Sequence, residues 1–502
     1  MRILKPHDLD RDSLPQWDQE MLYNGLDCCV THDVFAAIHS QLDEVTGATY
    51  ALSRALQGPT LEMRIRGVLI DQVRRMEVIS ELTDVMHTLE RQLDRIVLDG
   101  VGMAEFNWRS HAHLQRLFYR ELGCAPIIKQ GRPTTDRSAR EKLEAYPIAV
   151  QIVKHVNALT ELGDKISVLQ TEIDNDGRIR TSYNIAGTST GRFSSSLSEF
   201  GTGGNLQNVE ESLRSIFIAD LGWKFAKFDA KSGESYCVGA IEWNRFGDGT
   251  YLDACESGDI HTSVARMVWS EMEWTGNLRD DKQLAEQPFY RDHSYRFMCK
   301  KLGHGSNYGG KPFTLAEQSR LPIDVVAQFQ PKYFAAFPAH QKWQADVERR
   351  LRRDGNLTTL TGRRRWFFGR RTEAATLREA IAYDPQGSLA DIVNLAMLRI
   401  WRERIAIIMM HDHDALTFMY REEDEDIVIP KLFAALVVPI PLQQGRTLRI
   451  PYDCEVGWNK GHASEANPDG LRAYVPGDRG RKRQPIRNLV QTIMNKPMGM
   501  LR

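Results

Sequence analysis

The strongest constraint on the fold comes from residues 405–420, which read IAIIMMHDHDALTFMY. Six apolar residues lead into the polar segment HDHD (411–414), and apolar side chains then alternate with period two. Such alternation is typical of a strand, and a short polar segment between two apolar runs predicts a hairpin. Two carboxylates and two imidazoles at a buried hairpin tip are costly to desolvate without a partner. The stretch therefore indicates a divalent metal site at the tip, or else a solvated acidic turn.

A second carboxylate is expected at a strand end. The block LRSIFIADLGWKFAKFDAKSGESY (213–236) predicts two short strands, of which the second ends at Asp229, and a helix that begins near Ser232. Asp229 and Asp414 lie 185 residues apart in the chain, so only a folded sheet can bring them together. If it does, they can hold two metal ions roughly 3.5 to 4 Å apart, as in two-metal phosphoryl-transfer sites.

Another group of candidate residues lies on a helix predicted within residues 291–310, RDHSYRFMCKKLGHGSNYGG. Its members follow one another at intervals of four residues, which puts them along one slowly winding face: Arg296, Lys300, His304 and Tyr308. Two cations and two rings suit a nucleotide, with charge for the triphosphate and rings for the sugar and base. The same stripe is also compatible with an ordinary solvated helix face.

Two further segments have the composition of nucleic-acid contacts. Residues 181–208 are rich in Ser, Thr, Gly and Asn, which is typical of a flexible loop. They also include side chains that can hydrogen-bond phosphates and bases, namely Arg192, Asn205, Gln207 and Asn208. Residues 349–371 carry nine arginines, one acid and three aromatic residues at 366–368. This mixture predicts a phosphate-tracking surface with ring contacts.

Composition limits the class of protein. At 502 residues the chain is long enough for roughly three domains or subdomains. Its 42% apolar and 26% charged residues are typical of a folded globular protein, and its net charge of -1 means that nucleic-acid binding has to rest on local basic patches. No apolar run reaches the roughly 18 residues of a membrane span, and no signal peptide is recognisable. Seven scattered cysteines without a CxxC pair favour the reducing cytoplasm.

The two ends of the chain differ in character. Apolar residues recur every four positions from Val30 to Leu42 and predict a helix, near whose start Tyr23 and Asp27 share the same spacing. That pair is compatible with a functional site or with a carboxylate near the positive end of the helix dipole. Residues 461–502 are rich in Gly, Pro and Asn and include the basic run RGRKRQPIR, so we expect a mobile extension there.

Taken in order, these motifs resemble those of the family A (Pol I-like) DNA polymerases, most closely the bacteriophage branch, over about residues 58–460. FDAKSGES resembles a motif in which a metal-binding Asp precedes a Glu that blocks a ribose 2′-hydroxyl, which implies these roles for Asp229 and Glu234. The predicted stripe resembles the fingers helix RxxxKxxxFGxxYG. That resemblance implies that Arg296 and Lys300 hold the incoming triphosphate and that Tyr308 packs near the templating base.

Three other segments carry the resemblance further. The hairpin stretch resembles the family motif HDE, and its spacing to the following apolar residues favours His413–Asp414 over His411–Asp412 as the match. TSTGRFSS and NLQN resemble segments that contact primer and template, which implies DNA binding by the four polar residues named above between 192 and 208. LREAIAYDPQGSLAD resembles a segment in which Arg378 and Gln386 would touch the duplex, and His413 is also implied to be near DNA.

Several residues depart from the family pattern. Ala415 stands where an acid usually follows the catalytic Asp, and His304 stands where a Phe or Tyr usually reads the sugar. YNGLDCCVTHDVF resembles the third motif, YxxxD, of the family's 3′–5′ exonuclease domain through Tyr23 and Asp27, but the first two motifs do not precede it. We therefore expect no proofreading by this chain alone, and a separate exonuclease or processivity polypeptide is a candidate partner.

The resemblance implies a mixed α/β right-hand architecture with an antiparallel palm sheet, helical fingers and a helical thumb. The expected regions are an exonuclease remnant at 1–50, a thumb at 51–175, a palm at 176–262 and 361–460, fingers at 263–360 and a basic extension at 461–502.

The implied activity is template-directed addition of deoxynucleotides to a primer, with primer–template DNA and dNTPs as partners and no membrane. Asp229 and Asp414 would hold two Mg²⁺ ions, with Mn²⁺ as a substitute, and the setting would be phage DNA replication in the cytoplasm of an infected host. Three alternatives stay open: a catalytically impaired primer–template binder, a metal-dependent phosphohydrolase and a single-subunit RNA polymerase. The hydrolase has no role for Glu234 or the cationic stripe, and Glu234 argues for deoxynucleotides.

Overall fold

The structure, a computed structural model, describes residues 14–199 and 201–478. No helix in those ranges is both long and apolar enough to span a bilayer. The described chain begins with three helices, α1 (Gln16–His39), α2 (Glu44–Ala55) and α3 (Gln57–Arg66). The predicted N-terminal helix is confirmed, although it ends before Leu42. None of its side chains is buried, so its apolar spacing does not mark a core face.

The region predicted as the thumb is helical. It contains β1 (Val68–Ile70), α4 (Gln72–Val101), α5 (His111–Gln115), β2 (Ile128–Lys129), β3 (Arg132–Pro133), α6 (Arg137–Leu143) and α7 (Pro147–Leu169). Helices α4 and α7 contribute to an apolar core of their own, with Leu93, Phe118 and Val156 in its interior. Helix α5 begins after the predicted cap Ser110, whose hydroxyl accepts a hydrogen bond from the amide of His113 at 3.4 Å.

A small sheet and a hairpin follow, built from β4 (Arg178–Ile179), β5 (Ser182–Asn184), β6 (Ser194–Ser196) and β7 (Phe217–Ile218). Strand β1 lies between β4 and β7, and β5 pairs with β6. The prediction of a flexible loop over residues 181–208 is therefore wrong in part, because the Ser-rich stretch pairs with β5 through backbone hydrogen bonds. The connection between β5 and β6 carries Arg192.

The next elements are β8 (Trp223–Ala230), α8 (Gly233–Phe246), α9 (Thr250–Glu256), α10 (Ile260–Val268), α11 (Leu278–Ala285), β9 (Pro288–Tyr290), β10 (His293–Ser294), α12 (Tyr295–Met298), α13 (His304–Asn307), α14 (Pro312–Ser319), α15 (Ile323–Ala336) and α16 (Pro338–Asp354). The helix predicted to carry the cationic stripe is not uniform. A π-helical segment, Cys299–Gly303, separates α12 from α13, and Tyr308 follows the last helical residue. The uniform four-residue stripe is therefore a wrong prediction, since a π turn changes the angular offset between Arg296 and His304.

The remaining elements are β11 (Asn356–Thr358), β12 (Arg364–Trp366), α17 (Ala374–Arg402), β13 (Ile407–Asp412), β14 (Ala415–Arg421), α18 (Glu425–Leu436), β15 (Ile440–Pro441), β16 (Thr447–Leu448), β17 (Tyr452–Gly457) and β18 (Arg472–Ala473). Strands β13, β14, β8, β17 and β18 form, in that order, an antiparallel sheet at the centre of the molecule. Phe228 and Phe418 on this sheet share one core with apolar residues of α8 and α17. The second strand of the predicted hairpin is thus buried on both faces.

The segment after β17 is not a free extension. Strand β18 pairs with β17, and the amide of Trp458 donates to the carbonyl of Asp469 at 2.8 Å. The prediction of a mobile extension is therefore wrong for residues 461–478, because backbone hydrogen bonds attach them to the sheet. The basic run at 479–487 lies outside the described residues.

Buried and exposed apolar residues of this fold predict mutational effects of different size. Leu93→Ala, at a site that is 0% exposed, should lower the free energy of unfolding by about 2 to 5 kcal/mol because it leaves a cavity. Ile38→Ala, at a site that is 56% exposed on α1, should change it by less than about 0.5 kcal/mol. Urea unfolding of both variants measures the difference, and a loss at Ile38 as large as that at Leu93 would contradict the exposed position of α1.

Candidate active site

The sheet brings Asp229 and Asp414 together at one end. Asp229 is the cross-strand partner of Ala415, and the amide of Ala230 donates to the carbonyl oxygen of Asp414 at 3.2 Å. The side chain of Asp229 is 56% exposed and that of Asp414 is 30% exposed. Withdrawal from bulk water raises the pKa of both carboxyl groups, against the opposing effects of Lys227 on Asp229 and of Arg192 on Asp414.

The turn between β13 and β14 has two residues rather than the four predicted, because His411 and Asp412 belong to β13. His413 occupies the left-handed region with φ of 59° and is exposed, and Asp414 follows it. Left-handed backbone is unfavourable for a non-glycine residue, so the register of the sheet holds His413 in place at some cost.

The two residues that precede the turn have partners within the protein. His411 stacks on Phe193 with ring centroids 4.4 Å apart, and its Nε2 lies 3.2 Å from Oδ1 of Asn394. Burial lowers the pKa of His411 to about 4, so the imidazole is neutral near pH 7. Asp412 accepts a hydrogen bond from the buried ammonium of Lys460 at 2.5 Å. A metal is therefore not needed to compensate the desolvation of this half of HDHD.

Arg192 joins Asp414 to the start of helix α8. Its Nη2 donates to Oε1 of Glu234 at 2.6 Å and to Oδ1 of Asp414 at 2.9 Å. The hydroxyl of Tyr308 donates to the other oxygen of Glu234. Four predicted site residues from four separate stretches of sequence thus form one hydrogen-bonded group, and their side chains are largely shielded from solvent.

The predicted triphosphate residues lie on the adjacent helical region. Arg296 is partly buried and donates to Oδ2 of Asp259 at 3.1 Å and to Glu286 at 3.4 Å, whereas Lys300 and His304 are exposed. His304 meets Tyr308 edge to face with ring centroids 5.0 Å apart. Lys300 and His304 are thus solvated as on an ordinary helix face, whereas Arg296 already has two carboxylate partners.

Sequence reasoning missed His261 and Lys460. His261 follows the helix cap Asp259, and burial, together with repulsion from Arg296 and Lys300, lowers its pKa to about 4. Its only sequence signal is its position two residues after a helix-capping Asp. Lys460 gave no signal at all, because its partner Asp412 lies 48 residues away.

Among the residues predicted to bind DNA, three are exposed or half-buried on the surface, and two others form hydrogen bonds within the protein. Arg378 and Asn208 are exposed and Gln386 is half-buried, with Arg378 and Gln386 about two turns apart on α17. Asn205 caps a short 3₁₀ turn and accepts a hydrogen bond from Ser195 at 2.5 Å. Gln207 is 7% exposed, and its amide donates to the carbonyl of His411 at 2.9 Å. Gln207 therefore supports the hairpin, and its contact with DNA stays a prediction.

The arginine-rich stretch is less basic in the fold than in the sequence. Seven of its nine arginines lie within 4.0 Å of a carboxylate, among them Arg363 with Asp391 at 2.6 Å and Arg364 with Asp43 at 2.6 Å. Most of these acids lie outside residues 349–371, so counting charges within the stretch could not reveal them. The predicted phosphate-tracking surface is accordingly narrower than the sequence suggested.

The predicted exonuclease pair lies apart from this centre. Tyr23 and Asp27 are exposed on α1, one turn from each other, and Tyr23 is 57% exposed.

The donor set at the end of the sheet consists of carboxylate oxygens. Among residues 14–199 and 201–478, no group of three or more His, Cys, Asp or Glu side chains is arranged to hold a metal ion. Mg²⁺, however, is typically held by one or two carboxylates together with water and substrate phosphates. Asp229 on β8 and Asp414 in the turn that leads into the adjacent strand β14 offer such a pair of carboxylates. Their oxygen donors therefore fit the ion that the sequence motifs imply.

An antiparallel sheet with two carboxylates at one end and cationic helices beside it has the architecture of a nucleic-acid polymerase palm. Residues 74–463 match the model of a protein family described as DNA polymerase family A. The chain belongs to the family A DNA polymerases, and its mixed helical and sheet structure has the right-hand fold of that family.

Similar proteins are bacterial enzymes. The chain is 26% identical over 427 residues to the thermostable DNA polymerase I of Thermus caldophilus, with 81% of this chain and 46% of that protein covered. It is 27% identical over 425 residues to DNA polymerase I of Geobacillus stearothermophilus, with 80% and 44% covered. The chain thus spans about half the length of the curated relatives it matches.

A solved structure shows the same fold. The POL domain of Pol1 from M. smegmatis, in complex with DNA primer-template and dNTP, matches with a TM-score of 0.65 at 22% identity. The match covers 81% of this chain and 69% of that one.

The Asp412–Lys460 pair predicts a stability effect. Lys460→Met should lower the free energy of unfolding by about 3 to 5 kcal/mol, because it leaves the Asp412 carboxylate largely buried without its cation. The double variant Lys460→Met, Asp412→Leu removes both charges and should recover most of that loss. Guanidinium unfolding of the two variants measures the effect. Equal losses in the single and the double variant would show that the ion pair does not cause the destabilisation.

Proposed function

We propose that this chain is a template-directed DNA polymerase that adds deoxynucleotides to a primer 3′ end by two-metal nucleotidyl transfer. The observation that carries the proposal is the pairing of β14 with β8, which sets Asp414 beside Asp229. Membership of the family A DNA polymerases supports the same activity. In this proposal the central sheet acts as the palm, residues 51–175 as the thumb and residues 263–360 as the fingers.

The two carboxylates are the proposed metal ligands. Mg²⁺ ions at Asp229 and Asp414 would activate the primer hydroxyl and stabilise the leaving pyrophosphate. The proposal favours Asp414 over Asp412 as the catalytic acid of the hairpin, since Asp412 is engaged by Lys460 while Asp414 adjoins Asp229. Ala415 contributes no third acid, so the proposed chemistry rests on two carboxylates.

The surrounding residues bind and orient the substrates. Arg296 and Lys300 are proposed to neutralise charge on the triphosphate. His261 beside them is neutral near pH 7, because its pKa is lowered to about 4, so it adds no charge. Glu234, held by Arg192 and Tyr308, is proposed to exclude a ribose 2′-hydroxyl, and His304 and Tyr308 to contact the sugar and the templating base. Because Nη2 of Arg192 occupies Asp414, which is a proposed metal ligand, we propose that the guanidinium moves when primer–template binds.

DNA contacts complete the proposal. Arg378 and Gln386 on α17, Asn205 and Asn208 after β6, and His413 at the turn are proposed to touch primer and template. Base pairing then supplies sequence choice, while these protein contacts supply position.

The proposal also specifies a biological setting that membership of the family does not by itself imply. It includes replication of phage DNA in the cytoplasm of an infected host, use of Mn²⁺ as a substitute for Mg²⁺, and a separate exonuclease or processivity polypeptide. The compact set of motifs at family spacing and the YxxxD pair on α1 support it.

Primer extension tests the activity directly. The purified chain should extend a 5′-labelled primer with the dNTP that the template dictates, in preference to the matching rNTP. Asp414→Asn should lower the incorporation rate at least about a hundredfold because it removes a carboxylate at the reacting centre, while primer–template affinity stays nearly unchanged.

Asp412→Asn is the matched control, assayed at a temperature at which circular dichroism shows it to be folded. It should retain incorporation, because Asp412 is engaged by Lys460. Loss of activity in Asp412→Asn together with retention in Asp414→Asn would overturn the assignment. Tight binding of primer–template by the wild-type chain without any incorporation would indicate the catalytically impaired binder, and primer shortening alone would indicate the phosphohydrolase.

The absence of proofreading is tested with the same primer. We expect the purified chain with Mg²⁺ or Mn²⁺ and no dNTP to leave a mismatched 3′ end intact, because only Tyr23 and Asp27 of an exonuclease motif are recognisable. Degradation that Asp27→Asn abolishes and Asp33→Asn leaves unchanged would contradict this expectation.

A further inference from the structure

Two aromatic side chains project into solvent from the strand that leaves the β11–β12 hairpin. Trp366 is 55% exposed and Phe368 is 96% exposed, whereas Phe367 between them is 6% exposed. Successive side chains of an extended strand point to opposite faces. Phe367 packs against Tyr383 with ring centroids 5.8 Å apart, so its burial directs Trp366 and Phe368 outward on the same face.

The exposed rings stand on a well-anchored hairpin. The amide of Phe367 donates to the carbonyl of Gly355 at 2.9 Å, which continues the pairing past the last residue of β12. At the start of β12, Arg363 is held by Asp391 on α17, and its carbonyl accepts a hydrogen bond from Tyr383 at 3.0 Å. The exposure of the rings is therefore a property of a fixed backbone, and both rings are available for contact with a ligand.

Two cations accompany the rings. Arg370 and Arg371 are exposed, and they are the two arginines of the stretch that form no ion pair with a carboxylate among the described residues. We call Trp366, Phe368, Arg370 and Arg371 the aromatic ledge. Arg371 also donates to the carbonyl of Arg352 at 3.3 Å. Exposed rings beside two exposed cations suit stacked bases joined by phosphates, the combination that single-stranded nucleic acid presents.

The ledge lies near the candidate active site. A Cβ added to Gly191, whose φ is 82°, would come within 2.6 Å of the guanidinium of Arg363, so the start of β12 touches the segment that carries Arg192. The five steps of extended chain from Arg363 to Phe368 span about 17 Å. At roughly 3.4 Å per nucleotide, this distance corresponds to about five nucleotides. A nucleic-acid strand that leaves the candidate site therefore needs only a few unpaired nucleotides to reach the ledge.

We propose that the aromatic ledge binds the uncopied, single-stranded part of the template. This inference rests on the proposed function, because template-directed synthesis always presents an unpaired template strand while the primer is paired. Bases stack on Trp366 and Phe368, and phosphates pair with Arg370 and Arg371, so the template is held taut beyond the base that is being copied.

The test compares primer–template duplexes whose template 5′ overhang is 2 or 12 nucleotides, by fluorescence anisotropy without dNTP. The longer overhang should bind the wild-type chain about tenfold more tightly, a typical gain from stacking of bases on a ring. Trp366→Ser, Phe368→Ser should lose this gain. Leu221→Ser is the control, since Leu221 is 77% exposed near the far end of β8 from Asp229, and it should keep the gain.

The arginines provide an independent measurement. Arg370→Gln, Arg371→Gln should make the dependence of log affinity on log salt shallower by about 1.4 for the longer overhang, because each lost phosphate contact on a single strand contributes about 0.7. For the shorter overhang the slope should stay as in the wild-type chain.

The outcomes separate this inference from the proposed function. If the wild-type chain binds no primer–template at either overhang length, the proposed function fails. If it binds and extends the primer but the overhang has the same effect in wild type and in the ring variant, the ledge inference alone is overturned. If the ring variant loses affinity only for duplexes whose primer 3′ end is frayed, the ledge binds the primer strand, and the assignment to the template is overturned. Self-association that the ring variant abolishes, with the overhang effect intact, would instead make the ledge a protein interface.

Discussion

The pairing of β14 with β8 is the interaction on which the candidate active site depends. Seven cross-strand pairs, from Ala415 with Asp229 to Arg421 with Trp223, fix the relative position of two segments far apart in sequence. A shift by one residue would turn every side chain of one strand to the other face. Apolar side chains on both faces of β14 are buried, so such a shift would expose a large apolar area. Core packing thereby determines where the two carboxylates lie.

Charge at the end of the sheet is balanced within the protein. Asp229, Asp414 and Glu234 would repel one another if they stood alone in a partly buried site. Arg192 lies between Asp414 and Glu234, and Lys227 approaches Asp229 to 4.0 Å. A divalent cation that binds Asp414 has to compete with a guanidinium that is already in contact with it. Cation binding and the position of Arg192 are therefore coupled, and the β5–β6 connection that carries Arg192 shares in that coupling.

Local sequence patterns predicted the elements of this site, and tertiary contacts decided the rest. The hairpin at 405–420 and the strand that carries Asp229 next to its last residue were recognisable, as was the cap Ser110 of α5 outside the site, because period-two alternation and capping residues act over a few positions. The partner of Asp412 was not recognisable, since Lys460 approaches it only after the chain has returned through β17. The hydrogen bond from Gln207 to the carbonyl of His411 was not recognisable either, because an amide side chain has the same chemistry whether it meets a base or a backbone carbonyl. The π turn at 299–303 and the acids that pair with the arginine-rich stretch leave no periodic signal either.

The short strand β18 has a consequence for how copies of the chain behave toward one another. β17 would otherwise be the last strand of the central sheet on that side, with unpaired amide and carbonyl groups along it. An open strand edge is a template on which another polypeptide can continue the sheet. The pairs Glu455–Ala473 and Val456–Arg472 occupy part of that edge. The residues after β17 thus limit growth of the sheet from one molecule of this chain to another.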